Sequence, residues 1–268
     1  MSETILLDTP EEGVRRITLN RPDVLNAFTW EMYEALLDAL ADIRSDPSAR
    51  VAILTATGRG FCAGHDLKNA GPSPYHREGM GKAYGNRHSL QGLGQIPIAM
   101  RNLPQPIICA VNGTVAGVGY TLVLASDMTV AVRSARFINT IHNAATGAEL
   151  GLSYMLSRAV GSQRAAELLL TARPVFAEEA ERIGLILRAV DEDKLMDEAL
   201  AIARGVMVNV PMGIWLTKQS LWLNQSAGSL EAAIELENRA VAIAQATEDA
   251  KEKRAAFWEK RTPRFTME

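Results

Sequence analysis

The chain has 268 residues, 47% of them hydrophobic and 22% charged, enough to bury a large core without staples. Lys and Arg number 28 against 31 Asp and Glu, so the net charge is -3 and no basic excess points to nucleic acid. No apolar run nears the roughly 20 residues of a membrane span, the start MSETILLDTPEE lacks a signal pattern, and Cys62 and Cys109 form neither a metal spacing nor a disulfide framework. A cytoplasmic protein is expected.

In chain order, Val14 to Leu19 alternates loosely and predicts a strand, followed by an Asn20-Arg21-Pro22-Asp23 turn. Thr29 is placed to cap a helix whose apolar stripe is Met32, Leu36, Leu37 and Leu40. Three short apolar runs, Val51 to Thr55, Ile107 to Val111 and Met128 to Val132, predict buried strands. A helix is expected over Val118 to Ala125. Residues 69 to 95 carry many glycines and read as a long functional loop. Beyond residue 149 the pattern is almost wholly helical, with helices expected over Ser162–Leu170, Asp193–Val208, Ser229–Thr247 and Glu248–Lys260. Strands alternating with helices imply an α/β core over residues 1–190, with a C-terminal helical region over 191–268.

Two glycine-rich turns stand out. The first, Gly58-Arg59-Gly60-Phe61-Cys62-Ala63-Gly64-His65-Asp66, follows a predicted strand. A dinucleotide loop would need a helix directly after it, and Gly71, Pro72 and Pro74 leave little room for one. The second, Asn112-Gly113-Thr114-Val115-Ala116-Gly117-Val118-Gly119, ends a strand and opens a helix. Glycines let backbone approach a ligand closely, and the first N–H groups of a helix are unpaired and partly positive. That geometry suits an oxyanion. The competing reading is that these glycines serve only tight strand–helix packing.

Together with Asn20-Arg21-Pro22, Leu25-Asn26-Ala27, Lys68, Pro106 to Gly113, Ser157 to Gly161 and the tail Phe257-Trp258-Glu259-Lys260-Arg261, these turns make the whole chain resemble the enoyl-CoA hydratase/isomerase (crotonase) family. The resemblance implies stacked ββα units forming the core, a C-terminal helical appendage, and a homotrimer or dimer of trimers. It implies an acyl-CoA thioester as substrate, with coenzyme A as part of that substrate and no separate cofactor. It also implies two oxyanion donors, the backbone N–H groups of His65 and Val118. Ala63, Asp66, Leu67, Lys68, Thr121, Ile141, His142, Phe257 and Lys260 are the substrate-binding positions it points to, with Lys68, Phe257 and Lys260 near the CoA.

The catalytic acids depart from the family pattern. Hydratases of the family use two glutamates, and the matching positions here are Thr121 and Ile141. Neither transfers a proton as a carboxylate does. Glu149, in Gly147-Ala148-Glu149-Leu150-Gly151, matches an acid used in the dienoyl-CoA isomerase branch and is the candidate proton carrier. The alternative is that it merely decorates a helix start, where acids are favoured. A single carboxylate favours isomerase-like proton transfer. Hydration with water held by Glu149 or His142, and an acyl-CoA-binding protein without chemistry, stay open. The four histidines show no helical metal pair, so no metal is expected.

Overall fold

The computed structural model describes residues 3–71, 73–140 and 147–268. The first half runs β1 (Ile5–Glu11), β2 (Val14–Leu19), α1 (Trp30–Ser45), β3 (Val51–Ala56), β4 (Gly60–Cys62), α2 (Lys82–Leu93) and α3 (Gln95–Asn102). Next come β5 (Ile107–Val111), β6 (Thr114–Ala116), α4 (Val118–Ala125), β7 (Met128–Val132) and β8 (Arg136–Ile138). Helices then dominate: α5 (Leu152–Val160), α6 (Ser162–Thr171), β9 (Val175–Phe176), α7 (Ala177–Arg182) and β10 (Arg188–Val190). The chain ends with α8 (Leu195–Met207), α9 (Pro211–Leu223), α10 (Leu230–Gln245) and α11 (Glu248–Glu259).

Two sheets organise these elements. The larger has the order β1-β2-β3-β5-β7-β10 and the smaller β4-β6-β8-β9. All pairings are parallel except β1 with β2 and β8 with β9. The strands β3, β5 and β7 each join the large sheet, turn within a few residues, and continue as a short strand of the small one. Each such pair is one layer, and the layers stack as ββα units. Parallel strands covered on both faces read as continuous apolar runs, and β3 and β5 are buried almost throughout. That is why three short hydrophobic runs sufficed to find them.

α1 starts where Thr29 accepts a hydrogen bond from the Met32 amide, and it buries Met32, Tyr33, Leu36, Ala39, Leu40 and Ile43. α4 buries all eight of its residues, packed against the small sheet, α3 and α5. α8 presses Leu195, Ala199 and Ala203 into the same core. The stretch expected as one long loop contains helix α2 instead, and α3 begins at its last residue. Two glycines that argue against a helix, Gly85 and Gly92, lie seven apart on one face of α2. Their bare backbones seat His76 and Tyr75, so the lost helix propensity is offset by packing.

A buried ion pair ties the C-terminal helices to the layers. Asp127, just before β7, meets the Lys218 ammonium of α9 at 2.7 Å. It also accepts from the Ile107 amide and the Trp222 indole, each at 2.7 Å. Lys218 donates further to the Met100 and Gln105 carbonyls. Burial pulls this ammonium below the usual lysine range, and Asp127 opposes the shift. Removing one partner of such a pair leaves an uncompensated buried charge. Lys218→Met is therefore expected to cost about 3 kcal/mol of stability, read as a lower urea midpoint at an unchanged slope.

Candidate active site

The site begins with two turns pressed back to back. Gly64 ends the first at φ +102°, and Gly117 ends the second at φ +52°. A Cβ on Gly117 would lie 3.0 Å from the Gly64 Cα and 3.3 Å from the Thr140 hydroxyl. Both the dihedral and the space demand glycine there. β4 and β6 pair in parallel just upstream, so the turns leave the small sheet side by side.

The residue following each glycine turns its backbone N–H away from the framework. Phe28 donates to the Gly64 carbonyl and Asp66 donates to the Phe28 carbonyl, which leaves the His65 amide facing the other side. Val118 is the first residue of α4, where an amide has no partner inside its helix. Among the described residues, neither N–H donates to an acceptor. Neighbouring free amides of this kind can hold a developing oxyanion.

The segment before α1 clamps the first turn. Asn26 donates to the Thr57 and Gly60 carbonyls at 2.9 and 2.8 Å and accepts from the Arg21 amide at 2.7 Å. Arg21 reaches Asp66 at 3.1 Å. Asp66 also accepts from the Asn69 and Lys68 amides, and with Arg21 these bonds hold its carboxyl below the usual range. Its side chain is thus spent on holding the turn. This is the physical work of the Asn20-Arg21-Pro22 and Leu25-Asn26-Ala27 residues, which the sequence identified only by resemblance.

A cavity of about 660 Å³ opens on this turn. Of the sequence candidates it brings together His65, Asp66, Leu67, Lys68 and Glu149, and adds Trp30 and the α2 residues Leu90 and Leu93. Ala63 and the side chains of Leu67 and Lys68 are exposed. Thr121 is buried within α4. Phe257 and Lys260 are exposed on the last helix and its cap, and they do not line this cavity. Ile141 and His142 lie outside the described residues. Arg101 stacks over Trp222 and donates to the Leu124 carbonyl.

Glu149 does not cap a helix. It sits on a turn closed by the Leu152 amide donating to its carbonyl, and α5 starts after Gly151 without a side-chain cap. Leu150 is left-handed at φ +52° and Gly151 at +77°. A non-glycine residue in that region carries strain and often marks a working site. Desolvation raises the Glu149 carboxyl above its ordinary value. Burial lowers the His65 imidazole below its ordinary range, with Asp66 opposing. The Tyr33 phenol reaches the His65 Nδ1 at 3.4 Å, and its own titration is raised first by burial and then by Cys62 and Glu149.

The contact between the turns is testable. Gly117→Ala is expected to cost about 2 kcal/mol through backbone strain and collision with Gly64, measured as a fall in the chemical-denaturation midpoint.

The sequence model of the enoyl-CoA hydratase/isomerase family matches residues 9–268. A relative from Mycobacterium bovis named probable enoyl-CoA hydratase echA12 is 42% identical over 98% of this chain and 92% of its own length. The 1,2-epoxyphenylacetyl-CoA isomerase of Escherichia coli is 35% identical over 97% of this chain and 98% of its own. Among solved structures, that of a probable enoyl-CoA hydratase/isomerase from Mycobacterium abscessus superposes with a TM-score of 0.91 at 36% identity, covering 99% of each chain. Back-to-back glycine turns, stacked layers and this likeness over nearly the whole length agree: the chain belongs to the enoyl-CoA hydratase/isomerase family.

Proposed function

We propose that this protein forms and reprotonates the enolate of an acyl-CoA thioester, with Glu149 carrying the proton. The His65 and Val118 amides receive the thioester oxygen, and the charge that develops there is stabilised by donors already in place. The observation that carries this reading is the placement of Glu149. It lines the same cavity as His65, none of the described residues donates to its carboxylate, and desolvation makes it a stronger base than a free glutamate. Asp66 lines that cavity too, but Arg21 and two amides occupy it.

One carboxylate can take a proton next to the thioester and return it further along the chain, which is double-bond isomerisation. The thioester's CoA arm would leave past the exposed Lys68. Phe257, 72% exposed, and Lys260 would meet the CoA of a neighbouring subunit in a homotrimer or dimer of trimers. Hydration is the second reading, favoured by the hydratase names of several relatives. Water would then be held by Glu149 or His142.

A panel of enoyl-CoA thioesters in heavy water separates these. Deuterium entering the acyl chain without a gain of water is the expected result. A mass gain of one water would establish hydration, and tight binding without turnover would leave a binding protein. Glu149→Gln is expected to lower turnover by at least about a hundredfold while acyl-CoA binding persists. The pH dependence has a definite sign. A base must be ionised, so the rate should fall as pH drops through the Glu149 pKa. That acid limb should lie above the roughly 4.3 of free glutamate, and Glu149→Gln should abolish it.

A further inference from the structure

Trp30, the first residue of α1, lines the cavity that also holds Glu149. Three more rings crowd it. The His65 ring lies edge-wise at 5.2 Å between centroids, Tyr33 at 5.8 Å and Tyr75 edge-wise at 6.0 Å. Tyr75 is seated by design of the backbone: a Cβ on Gly92 would fall 2.3 Å from its ring. Leu90 and Leu93 of α2 line the same space. Of these rings Trp30 and His65 line the cavity, while Tyr33 and Tyr75 pack against Trp30 and hold it in place. Neither the oxyanion donors nor Glu149 requires the Trp30 face, so it answers to the rest of the acyl group.

We propose that the acyl group selected here bears a flat aromatic ring, packed on Trp30 beside the His65 ring and the α2 leucines. The proposal rests on the reading that an acyl-CoA thioester occupies this cavity. An alkyl chain would gain only from burial of its area. An aromatic ring gains additionally from edge-to-face and offset contacts, because its positive edge meets the negative faces of the wall. Burial disfavours the His65 cation, which favours its contribution as an aromatic ring.

The test uses the full chain and two saturated thioesters of equal carbon count, 4-phenylbutanoyl-CoA and decanoyl-CoA. Their affinities are measured by calorimetry, and α-deuterium uptake from heavy water is followed separately. The phenyl thioester is expected to bind about tenfold more tightly than the alkyl one, although it is the less hydrophobic of the two. Trp30→Leu should reduce that ratio to near one, Trp30→Phe should retain most of it, and Tyr75→Leu, a loop change that leaves α1 intact, should reduce it in part. A wild-type ratio at or below one, or a ratio unmoved by both Trp30→Leu and Tyr75→Leu, overturns the proposal. The two readings fail separately. Phenyl preference without deuterium uptake keeps the aromatic subsite and removes the enolate chemistry. Uptake without phenyl preference does the reverse.

Discussion

The site depends on a steric constraint between two backbones. Gly64 and Gly117 approach so closely that a single methyl group on the second would strike the first. That approach fixes the two free amides relative to each other before any ligand arrives. Preorganisation of this kind is what makes backbone donors effective, because no reorientation is needed as charge develops. The surrounding framework exists to hold the approach: β4 pairs with β6, Asn26 pins the first turn, and the fully buried α4 pins the second.

Electrostatics then divide the two acids of the cavity between unlike tasks. Asp66 sits among donors and a guanidinium, so it is a stable anion that braces the turn. Glu149 sits where desolvation acts without compensating donors among the described residues, so its proton affinity rises. Environment, not residue type, separates the brace from the candidate base. A similar division appears deeper in the core. Asp127, just before β7, is held there by Lys218 and Trp222 from nearly a hundred residues away.

Legibility in the sequence followed the range of the interactions. Local signals were read correctly: the Thr29 cap, the buried strands β3, β5 and β7, and α4. The four-stranded second sheet was not visible, because its strands of two or three residues have no periodicity to detect. α2 was hidden by its glycines, whose use is to seat rings from a loop earlier in the chain. Their spacing of seven, which puts both on one helix face, was the signal available. The glycine turns announced free amides, but the partners of Asn26 and Asp66 lie across the fold and could be inferred only through resemblance. The aromatic wall around Trp30 was likewise out of reach, since its members come from three separate segments.

The layered construction has a consequence for how such a protein can change. The two free amides come from backbone just after β4 and β6, while the side chains around them are set on neighbouring elements. Thr121 is buried on α4, whereas Glu149, on the turn before α5, lines the cavity. A side chain on one of these elements can therefore be exchanged without altering the backbone turns that carry the free amides. The backbone turns are inherited with the fold, whereas each surrounding side chain is a single-codon variable, so side-chain chemistry can diverge among sequences whose backbones remain superimposable.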